Sequence, residues 1–77
     1  MNSTVLKIFS KILKIRNISK NKKYTIKNTN NWDSLAHINL MMNLEKEFKI
    51  KFSLDEVSKI KDINSIIKII KRKKSEL

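Results

Sequence analysis

No cysteine occurs anywhere in this 77-residue chain. Neither a disulfide nor a thiolate-bound metal can therefore brace the fold. A chain of this length buries only roughly 60% of the surface it exposes when unfolded, so apolar packing has to carry the stability. The length supports one domain, residues 1–77. His37 is the single histidine, which excludes a histidine-based metal cluster within one chain, and no metal site is expected. There is no glycine, and with it no phosphate-cradling loop of the P-loop or dinucleotide type. Lys7, Lys11 and Lys14 interrupt the N-terminal apolar stretch, which argues against a signal peptide. No apolar run approaches the roughly 18 residues of a membrane span. A soluble, cytoplasmic chain is the expectation.

The apolar residues that must form the core recur at helical spacing. Val5, Ile8, Phe9, Ile12 and Leu13 make one face of a helix over residues 4–16, with Ser3 or Thr4 as cap and the lysines opposite. Residues 17–33 have no period and contain six Asn or Ser, which predicts a long ordered loop. Loops of that length in a small domain are usually functional. Ile18, Tyr24 and Ile26 are its expected plugs into the core, and Trp32 its anchor. A second helix is predicted from Ser34 to Phe48. A short third helix starts at Ser53, where Ser53-Leu54-Asp55-Glu56 forms a capping box. A last helix follows Asp62 as N-cap, with Ile63, Ile66, Ile67 and Ile70 on one stripe and a basic tail from Lys71 to Lys74. The pattern is all-α: helix, long loop, helix, short helix, helix, a small four-helix bundle.

The second helix carries two apolar faces. Leu40, Met41, Leu44 and Phe48 form the larger stripe, which predicts the core side, and His37 falls with them. Leu35, Ile38 and Met42 lie on a different face. Another helix covers that second patch, or it is an exposed interaction surface, where methionine suits adaptable contacts.

A net charge of +11 raises nucleic acid or an anionic membrane as partner, with the lysines of residues 7–27 as footprint. Lys, Ile and Asn together fill about half the chain, a bias toward A- and T-rich codons that raises lysine without any partner. The distribution says more than the total. Residues 1–32 contain no acid, whereas Asp33, Glu45, Glu47, Asp55 and Glu56 fall in residues 33–56 against three lysines.

Asn31-Trp32-Asp33-Ser34-Leu35 stands where the long loop meets the second helix. Ser34 has two readings there. It is a helix cap, or its hydroxyl carries a phosphodiester, whose charge the free N–H groups and the helix dipole stabilise. A hydrolase built on Asp33, Ser34 and His37 is disfavoured. Ser34 and His37 are neighbours at i, i+3, but Asp33 cannot orient that histidine from beside the serine, and no oxyanion hole is apparent.

Asp33-Ser34-Leu35 followed by Leu40, Met42, Leu44-Glu45-Lys46-Glu47-Phe48, Ile50 and Phe52 resembles the acyl carrier proteins. Ile60, Asp62-Ile63 and the isoleucine stripe resemble the last helix of that family. The resemblance covers nearly the whole chain and implies an acyl-carrier-type bundle with no enzymatic activity. It implies that Ser34 receives covalent 4′-phosphopantetheine from coenzyme A, through a phosphopantetheinyl transferase. A ligase then loads an acyl or aminoacyl group, and acyltransferases or synthases take it. Asp33, Leu35, Ile38, Met42, Glu45, Glu47, Asp55 and Glu56 would form the recognition face. A monomer is expected, and nucleic acid is not an expected partner. Asn31 and Trp32 stand where fatty-acid carriers usually have a glycine before the Asp, and Ala36 and Asn39 stand where they often have acids. Trp-Asp-Ser-Leu is more similar to carriers dedicated to other pathways.

Overall fold

The computed structural model describes residues 2–19 and 22–75. Lys20, Asn21 and Glu76, which entered the charge and polarity patterns above, lie outside them. Four helices follow one another: α1 (Asn2–Leu13), α2 (Ser34–Phe48), α3 (Leu54–Lys59) and α4 (Ile63–Ser75). The architecture is the all-α order expected. Among the described residues, a lone antiparallel bridge between Thr25 and Asp62 joins the long loop to the start of α4.

One contiguous apolar core fills the bundle. Val5, Phe9 and Leu13 come from α1, Leu40, Met41 and Leu44 from α2, and Ile63, Ile66 and Ile70 from α4. These are the stripes that the helical period picked out. Leu6 is buried as well, and Ile8, Ile12 and Phe48 pack against the core half-buried. α3 has no buried residue of its own. It is held by neighbours and polar contacts.

With no glycine available, the chain ends its helices by other means. α1 stops at Leu13, three residues before the predicted end. Lys14 takes the left-handed conformation at φ 56°. The Ile15 N–H then turns back to the Ser10 carbonyl at 2.9 Å, and the Asn31 side-chain amide donates to the Leu13 carbonyl at 3.2 Å. These contacts satisfy end carbonyls that a longer helix would have bonded internally. α1 also begins before Ser3 and Thr4, so both lie inside the helix and neither caps it. Lys49, at φ 56°, closes α2 in the same manner, with the Ile50 N–H on the Glu45 carbonyl at 3.2 Å.

The loop docks through aromatic rings. Phe9 meets Tyr24 at 5.4 Å and the edge of Trp32 at 5.1 Å between centroids, and all three are buried. Two backbone bonds, Ile63 N–H to the Tyr24 carbonyl and Ile26 N–H to the Lys61 carbonyl, tie the loop to the α3–α4 connection. Ile26 does not plug into the core as expected. The chain turns there, closed by reciprocal Thr25 and Asn28 hydrogen bonds, and carries Ile26 outward to 36% exposure.

Glu56 is the polar joint between α3 and α4. Its carboxylate accepts from the Ser53 N–H at 2.8 Å, completing the predicted capping box. It also pairs with Arg72 at 3.0 Å and Lys73 at 2.9 Å. The Ser53 backbone bond, with Lys73 beside it, holds the carboxyl at about 2, well below its ordinary 4.5. Asp62 caps α4 by accepting from the Ser65 N–H and hydroxyl, both at 2.7 Å. Those bonds hold its carboxyl low as well. A carboxyl depressed on folding stabilises the native state above its unfolded value and loses that contribution as the pH falls through its folded value. Thermal stability is therefore expected to be flat above about pH 5 and to fall between pH 4.5 and 2. In Glu56→Gln that slope should shrink in a melting series followed by circular dichroism. An unchanged slope would mean that Glu56 does not control acid stability.

Candidate functional site

Asp33, not Ser34, caps α2. Asp33 has extended backbone angles, and its Oδ1 accepts from the Ala36 N–H at 2.9 Å. Ser34 is the first helical residue, exposed, and its hydroxyl makes no hydrogen bond among the described residues. The capping role that a serine at a helix start suggests is thus filled by its neighbour. This leaves the Ser34 hydroxyl unspent at the positive end of a 15-residue helix.

His37 takes no part in chemistry with Ser34, because both its ring nitrogens are engaged elsewhere. The Trp32 indole N–H donates to Nδ1 at 3.0 Å, and Nε2 lies 2.9 Å from the Val57 carbonyl. An indole nitrogen can only donate, so Nδ1 accepts and the proton sits on Nε2, which donates to Val57. The rings also stack, 26° from parallel at 6.0 Å. Trp32 and His37 thereby join the end of the long loop, the first turn of α2 and the body of α3. The expected anchoring role of Trp32 and packing role of His37 both hold. The hydrogen-bonded link to Val57 was not legible in the sequence.

Between these elements runs an open cleft of about 610 Å³. Ser34 stands at its rim with Asp33, and its walls are mostly apolar, from Ile26, Ile38, Leu54, Val57 and Ile60. Beside it, Leu35, Ile38 and Met42 are 72%, 53% and 60% exposed. No other part of the described chain covers them. The exposed reading of that second helical face is the one the fold realises. Leu54 joins them at 90% exposure, a member the helical period missed. As first residue of α3 it has too short a helix around it to show a stripe, and only the docking of α3 brings it to this patch.

The acids of the expected recognition face divide into two groups. Glu45 accepts from the Phe52 N–H at 2.8 Å and holds the α2–α3 connection. Glu56 is committed to α4 as described. These two are joints of the fold. Asp55 is exposed and pairs with Lys59 at 3.0 Å. Glu47 is exposed with no ion pair among the described residues.

Trp32→Phe removes the indole donor and leaves His37 Nδ1 without it. Chemical denaturation should show a loss of about 1–3 kcal/mol, with faster hydrogen exchange in α3 than in α2. Uniform exchange across both helices would mean that the link does not hold α3 in particular.

No helix among the described residues is long and apolar enough to cross a membrane. No family model matches the sequence. No curated protein matches it either. The fold, in contrast, is similar to a solved structure described as "a putative acyl carrier protein" from Mycobacterium tuberculosis, with a TM-score of 0.73 and 25% identity over 87% of this chain and 89% of that one. The four helices and their order thus form an acyl-carrier-like bundle, with Ser34 at the start of its second helix.

Proposed function

We propose that this chain is a carrier protein, one domain over residues 1–77, that holds acyl or aminoacyl groups on a 4′-phosphopantetheine arm attached to Ser34. The observation that carries the reading is the Ser34 hydroxyl itself. It is exposed, hydrogen-bonded to nothing among the described residues, and set at the N-terminus of α2 in a fold similar to an acyl carrier protein. The surroundings fit the group. The first N–H groups of a helix lack intrahelical partners, and the helix dipole favours a phosphodiester there. Asp33 takes the Ala36 N–H and leaves the serine free. The apolar cleft beside Ser34 offers shelter to an attached chain.

When bound, the arm supplies a terminal thiol that forms a thioester with the cargo. The chain's own residues do the rest, and none of it is catalysis. Ser34 Oγ gives the attachment point, and Asp33 keeps the helix start rigid. Leu35, Ile38 and Met42, with Asp33, Glu47 and Asp55 around them, face partner enzymes. Tethering raises the local concentration of cargo at each partner. The partners are a Mg-dependent phosphopantetheinyl transferase, a loading ligase, and an acyltransferase or synthase. We place the protein as a cytoplasmic monomer in a dedicated pathway outside fatty-acid synthesis. That assignment is supported by Asn31-Trp32 before Asp33 and by Ala36 and Asn39 on α2.

Intact mass after incubation with coenzyme A, Mg²⁺ and a panel of broad-specificity transferases tests the reading. The wild type should gain one phosphopantetheine, and Ser34→Ala none while keeping its helicity. No gain on folded wild type, or a gain on Ser34→Ala, would overturn it. Leu35→Asp and Met42→Glu should change stability by no more than about 0.5 kcal/mol, as exposed positions do. The same variants should slow transfer to partner enzymes. Equal damage to both properties would place these side chains in the core.

A further inference from the structure

The exposed apolar patch of Leu35, Ile38, Met42 and Leu54 has a basic rim. Met42 borders a second cleft, of about 500 Å³, whose other walls include Glu45 and the lysines Lys46, Lys49 and Lys51. Lys61 stands on the wall of the cleft that holds Ile38 and Leu54. Among the described residues, no carboxylate pairs with any of these four lysines. The nearby acids offset them only in part. Asp55 is neutralised by Lys59 and Glu56 by Arg72 and Lys73, whereas Asp33 and Glu45 accept backbone N–H groups and keep their charge. Glu47 is the one exposed acid of α2 outside those contacts. Among the described residues around the patch, the unpaired lysines Lys46, Lys49, Lys51 and Lys61 thus outnumber the acids without a cation, Asp33, Glu45 and Glu47, by four to three.

We propose that this face docks a protein partner whose binding surface carries carboxylates around an apolar projection. The projection enters between Ile38 and Leu54, and the carboxylates meet Lys46, Lys49, Lys51 and Lys61. Charge complementarity selects this occupant, since complementary rims set specificity and association rate. A second copy of the chain does not fit. A two-fold contact would set the same lysines against themselves. A membrane fits less well, because a helix lying in an interface presents a continuous convex apolar stripe, whereas this patch flanks a recess between two helices. The inference rests on the carrier reading only in making the partner an enzyme that handles the arm.

The test is a nitrogen-15 NMR titration of the Ser34→Ala chain, which needs no arm, so its failure and that of the carrier reading are read separately. The probes are an amphipathic peptide with a Leu/Phe face flanked by glutamates, and the same peptide with lysines instead. The glutamate peptide should shift the amides of residues 35, 38, 42 and 54 and bind at least about tenfold tighter than the lysine peptide. Added salt should weaken it. Lys46→Glu/Lys49→Glu, exposed positions whose fold is checked by circular dichroism, should reverse the preference. Equal binding, tighter binding of the lysine peptide, no binding of either, or shifts confined to α1 and α4 would overturn the proposal. So would phosphatidylglycerol vesicles that shift the same four residues more strongly than the glutamate peptide does.

Discussion

The seating of Trp32 is the contact on which the rest of the structure depends. Its ring packs edge-on against Phe9 of α1, and its N–H reaches His37 of α2, whose far nitrogen bonds to the Val57 carbonyl in α3. One buried indole thus ties three helices and ends the long loop one residue before the cap of α2. α3 contributes no buried residue, so its position follows from such links and from Glu56. The mostly apolar cleft beside Ser34 exists because α3 is held at this distance from α2 instead of collapsing onto it.

The lack of glycine shapes the same region. Left-handed backbone falls on Lys14, Asn31 and Lys49, residues for which it costs roughly 1–2 kcal/mol relative to ordinary regions, least for Asn. Each recovers part of that cost in hydrogen bonds at a helix end. Asn31 does so at a distance. It turns the backbone ahead of Trp32 and caps α1 with its side chain, so the loop's exit and the first helix's end are set together.

Charge is arranged in two layers. Glu45, Glu56 and Asp62 face inward onto backbone N–H groups and, for Glu56, onto α4 cations. The lysines left without carboxylates face outward. A chain carrying +11 gains from this, since the few acids act where hydrogen bonds give them most effect. Among the described residues, Asp33, Glu47 and Asp55 are the acids left on the outer surface.

Much of this was legible in the sequence. The helical period located three helices and the buried stripes of α1, α2 and α4, because burial of an apolar stripe is a local property of spacing, while a capping box marked α3. The capping box at Ser53, the cap at Asp62 and the candidate attachment point at Ser34 were legible for the same reason, each depending on a few adjacent residues. The end of α1, the outward turn of Ile26 and the place of Leu54 in the patch were not. The first and last are decided by partners distant in the chain, Asn31 on Leu13 and the docking of α3 against α2, and the turn at Ile26 combines the local Thr25–Asn28 bonds with the distant Lys61 carbonyl. The bond of Glu45 to Phe52 and the pairing of Glu56 with Arg72 and Lys73 belong to the same class. A carboxylate's composition is identical whether it faces solvent or Phe52 and Lys73, and only the packed structure decides which. The sequence by itself determined the helices, their buried faces and the serine at the head of the second. Tertiary structure alone decided that His37 links α2 to α3 and that Lys46, Lys49, Lys51 and Lys61 are left without carboxylate partners among the described residues, because both depend on which polar groups the packed fold brings together.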